Sequence, residues 1–165
     1  LNINYNFFFG GTLKMADKLT KKDLKDGTML RELIKMFQTS HTQVSLAGLL
    51  TCLRDSEVVV PVKFKEEEGA TTTLPDGRKE HTFTPCTAIG DDNGRYLIVF
   101  SSLDQVDEKL KADYKMAEME FMQCMIMAER MRDVKGIIVD AYTKQFVLKN
   151  DLFGYVRNIP SKISK

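Results

Sequence analysis

The amino-acid sequence predicts an α+β domain, a twisted and mostly antiparallel sheet of about five strands covered by helices from both ends of the chain. Three observations carry that expectation. Residues 90–103 join the turn chemistry of Asp92-Asn93-Gly94 to the uncharged run Tyr96-Leu97-Ile98-Val99-Phe100. Asn and Gly tolerate positive φ, and a β-branched and aromatic run without charge suits a strand covered on both faces. Leu30, Leu33, Ile34 and Phe37 recur at i, i+3, i+4 and i+7, the spacing of an amphipathic helix. Gly136-Ile137-Ile138-Val139 and Phe146-Val147-Leu148 read as short buried strands around a turn at residues 142–145.

Length and composition narrow the function classes. A chain of 165 residues is one domain with enough length for a core. Its 24 basic and 23 acidic residues are interleaved, so no basic field for nucleic acid is expected. No apolar run approaches the roughly 20 residues that span a bilayer. Cys52, Cys86 and Cys124 are odd in number, far apart and without a C-x-x-C pair. That argues against a disulfide framework and for a reducing cytoplasm, with the thiols as small apolar fillers.

Taken in order, residues 1–27 read as a flexible N-terminal segment. Phe7-Phe8-Phe9 among asparagines lacks the charged start and apolar core of a signal peptide. Gly10-Gly11 shortly before Met15 fits a translated ribosome-binding sequence, with Met15 as the true start; an ordinary disordered terminus is the alternative. The domain is assigned to residues 28–157. Thr28 is placed as the cap of the first helix. Ser40 and Gln43 fit a capping box for a second, carrying Leu46, Leu49, Leu50 and Leu53. Val58-Val59-Val60-Pro61-Val62 changes to a strand, and Pro61 implies an edge or a bulge. Residues 66–70 are a solvated break. Pro75-Asp76-Gly77 marks a hairpin between residues 71–73 and an arm running towards Ile89.

After the central strand, Ser101 or Ser102 is expected to cap a helix, with Asp104 in its first turn. Residues 113–132 are either one long helix or a short strand at 114–118 followed by a helix. Asp151 is placed as the cap of a terminal helix holding Leu152, Phe153 and Val156, and residues 158–165 as a polar tail.

Candidate chemistry is sparse. His81 and Cys86 lie five apart in a strand, on opposite faces, which fails as a zinc pair. Met116, Met119, Met122 and Met125 resemble thioether copper motifs, but steps of three on a helix rotate by about −60° and cannot converge on one ion. Asp91 and Asp92 sit in a turn rather than a cleft that could separate their pKa values. Arg130, Arg132 and Lys135 complement a helix C-terminus. No catalytic residue, metal-ligand set or cofactor is assigned. Two binding surfaces are. Ser101 and Ser102, where a strand would run into a helix N-terminus, are a candidate small-anion site. Met119, Met122 and Ile126 form a second apolar arc beside the one of about 80° that holds Phe121, Cys124, Ala128 and Met131. That second arc either meets another helix of this chain or forms an interface.

Three segments are similar to the N-terminal domain of the SseB family, named for enhanced serine sensitivity. Leu49-Leu50-x-x-Leu53 running into residues 58–62 is one. Residues 93–102, Asn-Gly-Arg-Tyr-Leu-Ile-Val-Phe-Ser-Ser, are the second. Gly136-Ile137-Ile138-Val139-Asp140-Ala141 with Phe146-Val147-Leu148 is the third. The resemblance covers residues 30–153 and favours the strand at 114–118. Ser101 stands where the family usually has Thr, and Asp140-Ala141 where Asn-Pro is common. The resemblance implies a fold and a bacterial setting, with no defined activity. The expectation is a non-catalytic binding or regulatory module that engages a protein partner, itself or a small ligand. An enzyme with an unrecognised carboxylate or serine site, and a self-associating structural subunit, are the competing classes.

Overall fold

The computed structural model describes residues 20–65 and 71–163. The readings of residues 1–14 and of the break at 66–70 fall outside the described residues.

The helices are α1 (Lys21–Lys25), α2 (Thr28–Ser40), α3 (Gln43–Asp55), α4 (Glu108–Asp113), α5 (Phe121–Arg130) and α6 (Phe153–Asn158). The strands are β1 (Glu57–Phe64), β2 (Thr71–Thr73), β3 (Lys79–His81), β4 (Phe83–Pro85), β5 (Thr87–Ile89), β6 (Arg95–Val99), β7 (Lys115–Glu120), β8 (Val134–Val139) and β9 (Phe146–Lys149). The class is α+β as expected, but the strands divide. One sheet has the order β4-β1-β7, a second β5-β6-β8-β9, and β2-β3 is a separate hairpin around Gly77. All pairings are antiparallel except β6 with β8.

Cys86 divides the sheet. Its N–H donates to the Pro61 carbonyl at 2.8 Å, while its own carbonyl accepts from Ile98 at 3.1 Å. The chain thus pairs with β1 up to Pro85 and with β6 from Thr87. In an ordinary antiparallel pair, the residue opposite Cys86 would return an N–H to it. That residue is Pro61, which has none, so the handover leaves no donor unpaired. Pro61 therefore lies within the central strand of its sheet rather than at an edge. Val59 and Phe100 exchange two hydrogen bonds of 2.8 Å and close the seam between the sheets.

Side chains alternate across both sheets. Val58, Val60, Val62, Leu97 and Val99 enter the main core with α2, α3, α5 and α6. Val59, Ile98 and Phe100 point the other way, into a smaller cluster with Cys86 and Val106, covered by the segment that leads through α4. Tyr96 through Phe100 are all almost fully buried, as a strand covered on both faces requires. The β6–β8 pairing carries a bulge, since Arg95 opposes Val134 but Leu97 opposes Ile137. Gly136 sits in it because a Cβ there would lie 2.2 Å from the Leu148 carbonyl oxygen.

Several boundaries differ from the sequence reading. Within the segment read as a flexible lead-in, α1 forms, with the Thr20 N–H and hydroxyl both donating to Asp23. Its one apolar residue, Leu24, is buried in the main core. Gly27, not Thr28, precedes α2; its φ of 71° is left-handed backbone that favours glycine. Thr42, not Ser40, caps α3, because His41 turns the chain at φ 50° and Thr42 Oγ1 then accepts from the Ser45 N–H. Ser102 leads only into a single 3-10 turn, Leu103–Gln105, and the next helix, α4, is capped by Asp107. Likewise Asp151 lies within a 3-10 turn, Asn150–Leu152, ahead of α6. Residues 113–132 are β7 followed by α5, so the strand alternative holds. The described part of the polar tail is pinned: Arg54 donates to the Ile159 carbonyl at 2.6 Å, and Asp55 accepts from Ser161 and Lys162.

Candidate functional site

Two regions hold the residues singled out from the sequence, and they are chemically opposite. The first is a polar node at the end of β6. The Ser101 N–H donates to Asp140 Oδ1 at 2.8 Å, and both residues are buried. Arg31, reaching over from α2, donates to Ser102 Oγ at 2.7 Å, to Ser101 Oγ at 3.2 Å and to the Asp26 carbonyl at 3.2 Å. The Ser102 hydroxyl donates to Asp104. Gly27 lets α2 approach, since a Cβ there would lie 2.3 Å from the Ser101 carbonyl oxygen.

The electrostatics follow from these contacts. Burial pushes the Asp140 carboxyl above its ordinary range, opposed by the hydrogen bonds to Ser101 and by the Arg31 charge. The Ser102 hydroxyl holds Asp104 below its ordinary range. Asp140 takes φ 55°, a conformation that Asp and Asn adopt more readily than other side chains. At this position Asp140 accepts from the Ser101 N–H, and Ser102 leads into a single 3-10 turn rather than a helix. The sequence missed Arg31 altogether. It lies 70 residues from Ser101, on the flank of a stripe read only for its leucines, and no local pattern links the two.

The second region is an open groove of about 620 Å³ between α5 and the β4-β1-β7 sheet. Phe83, Pro85, Met119, Ile126, Met127 and Met131 line it, with Gln123 and Arg130 beside them. At 100° per residue, Gln123, Ile126, Met127 and Arg130 share one face of α5. Phe121, Cys124, Met125 and Ala128 form the buried face. The structure brings Met119 and Ile126 together here but not Met122, which packs half-buried against the main core on the other flank of α5. Met119 is in β7, opposite Val58, so it reaches the groove from the strand and not as part of a helical arc. Met127 and Met131 replace Met122 in the lining. What selects them is the β4 wall across the groove, which the helix's own periodicity does not place.

Other candidates resolve into structural roles. Asp92 accepts from the Gly94 N–H at 2.9 Å and from the Tyr96 hydroxyl at 2.8 Å, and so staples its turn. Cys52, Cys86 and Cys124 are free and buried. Burial pushes the Cys52 and Cys124 thiols up to about 12 and raises Cys86 as well, which leaves little nucleophilic thiolate. Among the described residues, no group of three His, Cys, Asp or Glu side chains could hold a metal ion. Nor is any helix among them long and apolar enough to cross a membrane.

Comparison with known proteins returns one match. No curated protein and no solved structure matches the chain. Residues 30–152 match the SseB protein N-terminal domain, from α2 through both sheets to the turn ahead of α6. That span takes in the polar node, the seam at Cys86 and the groove beside α5, and covers well over half the chain: the protein belongs to the SseB N-terminal domain family.

Proposed function

We propose that this domain is a non-catalytic binding or regulatory module of the cytoplasm, and that it acts through the groove beside α5. The observation that carries this reading is the groove's lining. Methionine side chains are unbranched and polarizable, and they adapt to the shape of an incoming surface. Three of them, with Phe83, Pro85 and Ile126, form an apolar channel open to solvent. Pockets of this kind, apolar with a few polar groups at the margin, are the usual sites of recognition. The polar node supports the same choice from the other side. Arg31 donates to both serine hydroxyls and ties α2 to the end of β6, an arrangement suited to fixing a chain end. Free, buried, high-pKa thiols fit a reducing compartment.

The test compares the native chain with Ile126→Glu. Ile126 is 44 % exposed, so a charge there leaves the fold intact while it disrupts an apolar contact. Both proteins are used to capture partners from native lysate, with quantitative mass spectrometry as readout. A partner retained by the native chain and lost by the variant supports the reading. Identical captured sets from two equally stable proteins overturn it.

A further inference from the structure

We infer that the occupant of the groove is an amphipathic helix of a partner protein, with its apolar face on the methionines and a carboxylate beside it that pairs with Arg130. This deepens the reading of the groove as a binding surface and rests on it.

The geometry of α5 argues for a helix. The groove runs along the stripe Gln123, Ile126, Met127 and Arg130, an i, i+3, i+4, i+7 pattern on one face, and ends at Met131, the residue that closes the helix. Seven residues separate Gln123 from Arg130, about 10.5 Å along the axis or two helical turns. A helix lying alongside repeats its own side chains over that same interval, so one apolar stripe fills the channel and its flanks meet both polar ends. The opposite wall is Phe83, Thr84 and Pro85 of β4 with Met119 of β7, apolar but for the Thr84 hydroxyl.

Charge selects the occupant's flank. Arg130 lies at the groove margin, and it has no ion-pair or hydrogen-bond partner among the described residues. Unlike Lys21, Arg95 and Arg157, which pair with Glu120, Asp133 and Glu129, it is not taken by a carboxylate of this chain. A guanidinium left free beside an apolar channel suits a bidentate carboxylate supplied by the occupant. A second copy docked groove to groove does not supply one from the lining. Two identical grooves facing each other across a twofold axis present the same lining, and no Asp or Glu belongs to it.

The test uses two synthetic fluorescein-labelled peptides of about four turns, since shorter helices are marginal in water. Both carry leucines at i, i+3, i+4 and i+7. One carries glutamates flanking that stripe and the other glutamines. Anisotropy is measured against the native chain, Arg130→Gln and Ile126→Glu, and the Met methyl resonances are followed by NMR. The glutamate peptide is expected to bind the native chain ~5-fold more tightly than the glutamine peptide, the equivalent of one good ion pair. Arg130→Gln should erase that difference, Ile126→Glu should abolish binding of both, and the Met127 and Met131 methyls should shift. Equal affinity of the two peptides, or a preference that survives Arg130→Gln, overturns the carboxylate assignment and leaves the groove reading standing. Laurate shifting the same methyls while neither peptide binds overturns the helix in favour of a small amphipathic anion. Peptide binding that is indifferent to Ile126→Glu overturns the groove reading along with the inference.

Discussion

The polar node and the α5 groove differ in what their side chains still have to offer. At the node, the Ser101 N–H, the two serine hydroxyls and Asp140 all have partners, and α2 is locked to the end of β6. Along the groove, Arg130 and Gln123 have none among the described residues, and the methionines, half-buried against the main core, line an open channel. The node carries the residues that look most like chemistry in the sequence, yet its groups spend their hydrogen-bonding capacity on one another. The groove carries residues that look like core filler, and it is the region left with capacity to bind.

Substitutions can break or sharpen that contrast. The largest effect is expected at Phe100, which is fully buried, bonded to Val59 and stacked under Tyr142 with ring centroids 6.1 Å apart. Phe100→Ala should cost roughly 3–5 kcal/mol in chemical denaturation. An unchanged midpoint would remove the node's support from the core. Gly27→Ala follows, at roughly 2–4 kcal/mol, because left-handed backbone and the overlap with the Ser101 carbonyl add together. If it proves neutral, α2 does not need its close approach to β6.

Met122 and Ile126 divide what the sequence grouped as one arc. Met122→Glu should destabilise by roughly 1–3 kcal/mol, since that side chain packs on the core. Ile126→Glu should shift stability by no more than about 0.5 kcal/mol. Equal losses at the two positions would mean that α5 has no free face.

The finest distinction is at Asp140. Burial raises its carboxyl pKa, so its contribution to stability is complete below the unfolded pKa and is lost as pH rises through the folded one. Asp140→Asn keeps an oxygen acceptor for the Ser101 N–H and also tolerates φ 55°. Relative to the native chain it should gain stability as pH rises from acid to neutral, by urea melts at several pH values. A native chain that gains on the variant over that interval would show that the carboxylate, not a neutral acceptor, holds the node.

Much of this was legible from local pattern. The β6 run, the turn at Asn93-Gly94, the α2 leucine stripe and the β8–β9 pair each carry their cause within a few residues. What was not legible depends on distance. Helix α1 shows one apolar residue among charges, and only contact with the main core makes Leu24 decisive. Pro61 argues locally for an edge, and only Cys86, 25 positions on, explains why it lies inside a sheet. The groove needed the β4 wall, which meets the Met127 side of Ile126 rather than the Met122 side and is not encoded in the helix's own periodicity. The carboxylate at position 140, where an asparagine is common in the resemblance, marked the node without revealing Arg31.

The handover at Cys86 also governs how the domain comes apart. One uninterrupted stretch of chain belongs to both sheets, and Val59 with Phe100 stitches them a second time. Neither sheet can open without stripping amides from the other. Thermal and denaturant transitions followed by different probes should therefore coincide. The amide protons of Val59, Cys86, Ile98 and Phe100 should exchange with solvent only through global opening, at one shared free energy, while those of the β2–β3 hairpin exchange far sooner. The groove beside α5 then rests on a scaffold that responds as a single cooperative unit, so a ligand bound there would raise the protection of the seam amides without touching them.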